Sequence, residues 1–274
     1  MKKEKMRMAK SLQTEFVKYY KEKLEPLGFK KVKGRQPYFV RVVNDEILHI
    51  FTFMSERSTE FGYKAFHLTC GVATVYRKEI NFSVPPTNNG DWLVVLATMK
   101  EKGDTEYPKI SLPRDLMIYY YNDENMDEIL EHTYEGAKIL IHELNKVLNM
   151  GDVLKYLLKY DTKNITFRRG LDDSCFDEEG MYYARKEFDD KEIDKIFKEK
   201  QKDLKNSSWS DREKEAESNE IMEWKGRLKK NRIRFLSNEE DYEKGMKLLK
   251  EHYETNVEKL IGYGLDIKKR ELEF

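Results

Sequence analysis

Histidine is scarce in this chain, with five among 274 residues, so each one beside an acid or a cation is a candidate for chemistry. Three groupings stand out. The first lies in residues 38–53, YFVRVVNDEILHIFTF, where Arg41 and His49 sit among Tyr38, Phe39 and Phe51. An arginine set among aromatic faces can grip a phosphate or stack a base. The second is Glu128, His132, Glu135 and His142, which step by four, three and seven. On a helix these share one side, and ligands so spaced can converge on one metal ion. The third is the acidic run LDDSCFDEEG at 171–180, around Cys175. Its carboxylates do not alternate ahead of a glycine as a calcium loop requires. Acids on both sides also raise a thiol pKa and blunt the sulfur as a nucleophile. This run reads as a surface loop. No phosphate-cradling glycine loop, H-E-x-x-H helix, paired C-x-x-C or G-x-S-x-G elbow occurs. The balance leans away from an enzyme, and no cofactor is implied.

The elements that must position these groups are read from periodicity. Met8, Leu12, Phe16, Tyr19, Tyr20 and Leu24 predict a helix over 4–24, stopped by Pro26 and Gly28. Strands follow near 29–33, 38–43 and 47–54, and a longer one spans 63–76, where Gly71 marks a bulge or a close backbone approach. Asn44 and Asp45 tolerate positive φ and predict a two-residue hairpin turn. That turn sets Val40 opposite His49 and Arg41 opposite Leu48. Tyr38, Val40, His49 and Phe51 then share one face, and Phe39, Arg41, Leu48 and Ile50 the other, which keeps Arg41 and His49 apart. One face meets the first helix. The other is either more core or an open aromatic surface with a polar handle, so the candidate binding face is Tyr38, His49 and Phe51, or Phe39 and Arg41.

The run NFSVPPTNNGD at 81–91 is turn chemistry, WLVVLATM at 92–99 is a buried strand or short helix, and LMIYYY at 116–121 is a last strand. Residues 123–148 form the strongest helix, with an apolar stripe from Met126 to Leu148. Glu128, His132, Glu135 and His142 occupy its polar side. A solvated face without supporting hydrogen bonds holds a metal poorly, so these four read as an acidic surface before a metal site. Further helices are predicted at 152–160 and 187–204, and behind capping boxes at Ser210/Glu213 and Ser237/Glu240. In the last, Tyr242, Met246, Leu249, Tyr253 and Leu260 form a packing seam.

The outline is α+β: an N-terminal helix, an antiparallel twisted sheet of about four to six strands, then a helical C-terminal half. The expected division lies near residue 150, with an α+β domain over 1–150. A charged helical region over 151–274 packs on it or extends from it. Hydrophobic residues make up 39% of the chain and charged residues 37%, with 51 basic and 51 acidic side chains. A zero net charge gives no general attraction to nucleic acid or anionic membranes, although residues 1–45 carry thirteen basic against five acidic groups. Two distant cysteines, Cys70 and Cys175, and no apolar run of membrane-spanning length point to a cytoplasmic protein with free thiols.

Leu24, GFKK at 28–31, FVR at 39–41, IFTF at 50–53 with Ser55, and FHLTCGV at 66–72 together resemble the bacterial domain of unknown function 4304 family over roughly residues 10–150. The resemblance implies a compact α+β domain in a bacterial cytoplasm, and brings no activity and no functional residue. The expected function is a non-enzymatic protein-binding module, of the immunity type that masks a toxin. Acidic surfaces at 123–143 and 172–190 would meet a basic protein partner. The alternative is a nucleic-acid- or nucleotide-acting protein using the hairpin aromatics and the basic N-terminal helix.

Overall fold

The computed structural model describes residues 11–56, 64–83, 94–97, 118–153, 156, 190–207 and 210–272. The apolar stripe of the first segment makes helix α1 (Leu12–Leu24), which buries Leu12, Phe16, Tyr20 and Leu24. A 3-10 turn at Glu25–Leu27 ends it, and Gly28 follows with φ 83°. Only glycine fits there comfortably: the backbone is left-handed, and an added Cβ would meet Arg41 Cδ at 3.3 Å. Phe29 N–H then closes the helix end on Leu24 O at 3.1 Å.

Six strands follow: β1 (Lys30–Lys31), β2 (Phe39–Val43), β3 (Ile47–Glu56), β4 (Lys64–Thr74), β5 (Val94–Ala97) and β6 (Tyr119–Tyr121). They form one antiparallel sheet in the order β1-β2-β3-β4-β5, with β6 also on β4. β5 lies along Thr69–Val72 and β6 along Lys64–Phe66, so the two share one edge of β4. The apolar run at 92–99 is thus a strand in its described part. Gly71 pairs in an unbroken register with both Ile50 and Val95, so it marks no bulge.

The hairpin register differs from the expected one. Asn44 and Asp45 do turn with φ of 52° and 54°. The ladder, however, pairs Val43 with Ile47, Arg41 with His49 and Phe39 with Phe51. Glu46 is the additional residue. Its carbonyl accepts from Val75 N–H at 3.0 Å, and its carboxylate accepts from Tyr76 Oη at 2.9 Å. The end of β4 recruits Glu46, and β3 slips by one against β2. A one-residue slip exchanges every side chain between faces. Arg41 and His49 therefore lie side by side, while Tyr38 stands on the face opposite His49 and Phe51.

Both faces are core. On the first, Phe16 of α1 packs on Phe51 and Phe53, with ring centroids 6.1 and 4.7 Å apart. Helix α2 (Met126–Leu144) joins it, burying Met126, Leu130, Ala137, Leu140 and Leu144. Tyr20 Oη donates to Thr133 Oγ1 at 2.6 Å, and Thr133 donates in turn to Leu130 O, which ties the two helices through a buried bridge. On the second face, Val40, Leu48 and Ile50 are no more than 1% exposed. There Tyr38 packs on Phe82, and Phe82 on Tyr263.

Among the described residues, the helical half holds a helical stretch at 150–153, then α3 (Asp190–Lys205), α4 (Asp211–Ser237) and α5 (Glu239–Gly262). Asp194 of α3 meets Lys225 and Lys229 of α4 at 2.6 and 2.8 Å, while Lys200 approaches Glu217, so the pair runs antiparallel. The capping box at Ser210 and Glu213 forms. The one expected at Ser237 and Glu240 does not: Ser237 is the last residue of α4, and the Asn238 carboxamide caps α5 by accepting from Glu240 and Asp241 N–H. An Asn side chain reaches the orphan N–H groups from the extended φ that this sharp junction imposes. The seam of α5 buries Met246, Leu249, Tyr253 and Leu260. Asn256 Nδ2 donates to Val75 O and Arg77 O, and the tail beyond α5 donates Lys268 N–H to Asp45 Oδ1. Residues 239–272 thus pack on the sheet domain. No helix among the described residues is long and apolar enough to cross a membrane.

Candidate functional site

Arg41 and His49 form one polar node, with His49 buried and Arg41 half-buried. Arg41 Nη2 donates to His49 Nδ1 at 2.8 Å and to Asn145 Oδ1 at 2.6 Å, and its Nη1 donates to Leu27 O at 3.1 Å. The guanidinium lies 4.7 Å from the centre of the Phe29 ring. His49 Nε2–H donates to Val147 O at 2.7 Å. Because that carbonyl can only accept, His49 is the neutral Nε2–H tautomer, with Nδ1 free to receive the arginine. Burial first, and the neighbouring Arg41 cation second, pull the imidazole down to about 4. Burial also pulls the Arg41 guanidinium below its usual value.

The node joins four pieces of chain. Arg41 comes from β2, His49 from β3, Leu27 from the turn after α1, and Asn145 and Val147 from the end of α2. The acceptors lie in the turn just beyond α2, the Asn145 carboxamide and the Val147 carbonyl, and a cation held there also faces the negative end of the helix dipole. The chemistry is structural. His49 is fully buried with both ring nitrogens engaged, which leaves no lone pair to take a substrate proton.

The expected binding residues thus fall inside the protein. Tyr38, Phe39, His49 and Phe51 are fully buried, and Arg41 alone is half-buried. The reason is that both faces of the hairpin are covered. No aromatic of this set can stack on a base, and neither of the expected groupings is an open face. Cys70 is also buried on the helix side of β4, where its thiol donates to Leu140 O at 3.8 Å and burial pushes its pKa up, so it is a poor nucleophile. Cys175 and the acidic run at 171–180 lie outside the described residues.

Glu128, His132, Glu135 and His142 are all exposed on α2. Glu135 is paired with Lys138 at 2.6 Å. Among the described residues no group of three or more His, Cys, Asp or Glu side chains is arranged to hold a metal ion. What α2 presents is a charged wall. Asp123, Glu124, Asp127, Glu128, Glu131 and Glu135 are exposed along its first half and the turn before it, and Lys138 is the one lysine of the helix. Tyr19 donates its hydroxyl to Glu131 at 2.7 Å, and burial with that carboxylate raises the phenol pKa. The partners of the polar node, Asn145 and Val147, carry no local signal, since they stand about a hundred residues from the hairpin they bind.

No protein-family model, curated protein or solved structure matches the chain.

Proposed function

We propose that the protein is a non-enzymatic binding module whose acidic α2 face meets a basic protein partner, in the manner of an immunity protein that masks a toxin. The observation that carries this reading is the charge arrangement of α2. Asp127 and Glu131, and Glu131 and Glu135, stand four residues apart on the exposed side of the helix. Like charges at that spacing destabilise a helix by roughly 0.2–0.5 kcal/mol per pair. Glu131 accepts from Tyr19 and Glu135 pairs with Lys138, but Lys138 is the one lysine of the helix, and a basic surface laid against the run would relieve the remaining repulsion and be steered in by it. A cytoplasmic setting belongs to the same reading, and the free, buried Cys70 accords with it. Affinity capture from the native lysate tests the proposal. A protein partner should be retained at stoichiometric level at low salt and eluted as the ionic strength rises; recovery of no such partner contradicts it.

A further inference from the structure

A groove of about 680 Å³ runs between α1 and the edge strand β1. Val17, Lys21 and Glu25 of α1 form one wall, residues 28–34 the other, and Tyr263 with Gly264 close one end. Phe29 and Val32, both buried, make an apolar floor. Four lysines, Lys21, Lys30, Lys31 and Lys33, face a single glutamate across it.

Lys31 is the telling residue. Its half-buried ammonium donates to Val32 O at 2.6 Å and Gly34 O at 3.2 Å, and no carboxylate lies within ion-pair distance among the described residues. Lys30 already pairs with Asp266, and Lys21 is 3.8 Å from Glu25. The backbone is open at the same place. Val32 N–H is bonded to Tyr38 O, and in an antiparallel ladder such residues alternate with ones whose N–H and C=O point outward. Lys31, paired with Phe39, is the outward one. On either side the edge is closed, since Phe29 N–H goes to Leu24 O and Lys33 N–H to Tyr263 O.

We propose that this groove takes an extended acidic peptide segment of a partner protein, which adds to β1 at Lys31 and sets its carboxylates against Lys21, Lys31 and Lys33. Such a segment gains two backbone hydrogen bonds at Lys31 and supplies the counter-charge that Lys31 lacks among the described residues. The surface is separate from the α2 wall and stands or falls independently of it.

Fluorescence anisotropy with a labelled alternating glutamate–valine hexapeptide tests this, with the lysine–valine counterpart as control. The acidic peptide should bind and weaken with added salt, and K31Q should lower its affinity by about tenfold, as expected for one lost charge-assisted hydrogen bond. A K21Q/K33Q variant, which changes only side chains on the rim, should weaken binding likewise. The acidic peptide methylated on alternate backbone nitrogens should lose most of its affinity. Several outcomes would overturn the proposal: no binding of the acidic peptide, equal binding of the basic one, affinity untouched in both variants, or full affinity of the methylated peptide. A single-stranded oligonucleotide that displaces the peptide, or self-association of the chain that both variants abolish, would assign the groove to another occupant and overturn it too.

Discussion

At the residue scale His49 is an imidazole sealed between the Arg41 guanidinium and the Val147 carbonyl just beyond α2. Its folded pKa of about 4 lies below the ordinary 6.5, so between those values the unfolded chain binds more protons than the folded one. The stability that neutral His49 supplies is fully present above about pH 6.5 and is lost as pH falls through 4. Urea unfolding should show a loss of about 2 kcal/mol between pH 7 and pH 5 that is absent from H49Q. An equal pH slope in both proteins would show that the histidine is not held neutral. Arg41 is tested separately. R41A leaves Leu27 O, Asn145 Oδ1 and His49 Nδ1 without their donor and should cost about 3 kcal/mol. R41K keeps the charge but not the fork, and should recover less than half of that. Neither partnership was legible from residue types alone. Arg41 and His49 look like catalytic equipment in the sequence, and only Asn145, 104 residues further on, makes them a clamp.

At the scale of elements, the sequence announces the pieces better than their register. The stripe of α1, its stop at Gly28 and the turn at Asn44–Asp45 are all where composition places them. The slip at Glu46 could not be read, because both faces of the hairpin are apolar. A strand with one wet face rejects the wrong register; one buried on both sides has apolar residues to bury either way. The junction before α5 was missed for a related reason. Ser237 and Asn238 are both good caps, and the choice depends on where α4 ends. N238A should therefore lower stability by about 1 kcal/mol in chemical denaturation, and S237A by clearly less. A reversed order would return the cap to Ser237.

At the scale of the whole molecule, the residues after α5 tie the last helix to the sheet domain. The tail after α5 donates Lys268 N–H to Asp45 and brings Arg270 to 3.5 Å from Asp45 and 3.8 Å from Glu46, the hairpin turn and the residue that sets its register. Leu265 and Ile267 are buried with it. Removing residues 263–274 should cost about 4 kcal/mol through those two side chains alone, and hydrogen exchange should show the β2–β3 hairpin opening first. The sequence leaves open whether the helical region over 151–274 packs on the first domain or extends from it, since nothing in a charged C-terminal helix says which surface it returns to; residues 239–272 pack on it. The seam of Met246, Leu249, Tyr253 and Leu260 was plain, but its target was not.

The central claim is that the acidic wall of α2 is the working surface, and reversing its charge tests it most directly. E124K/E128K changes two exposed side chains and should leave the circular dichroism and melting of the protein essentially as they were. In parallel captures from the native lysate at low salt, the parent protein should retain its basic partner and the doubly reversed variant should lose it. Equal recovery by the two proteins would contradict the account.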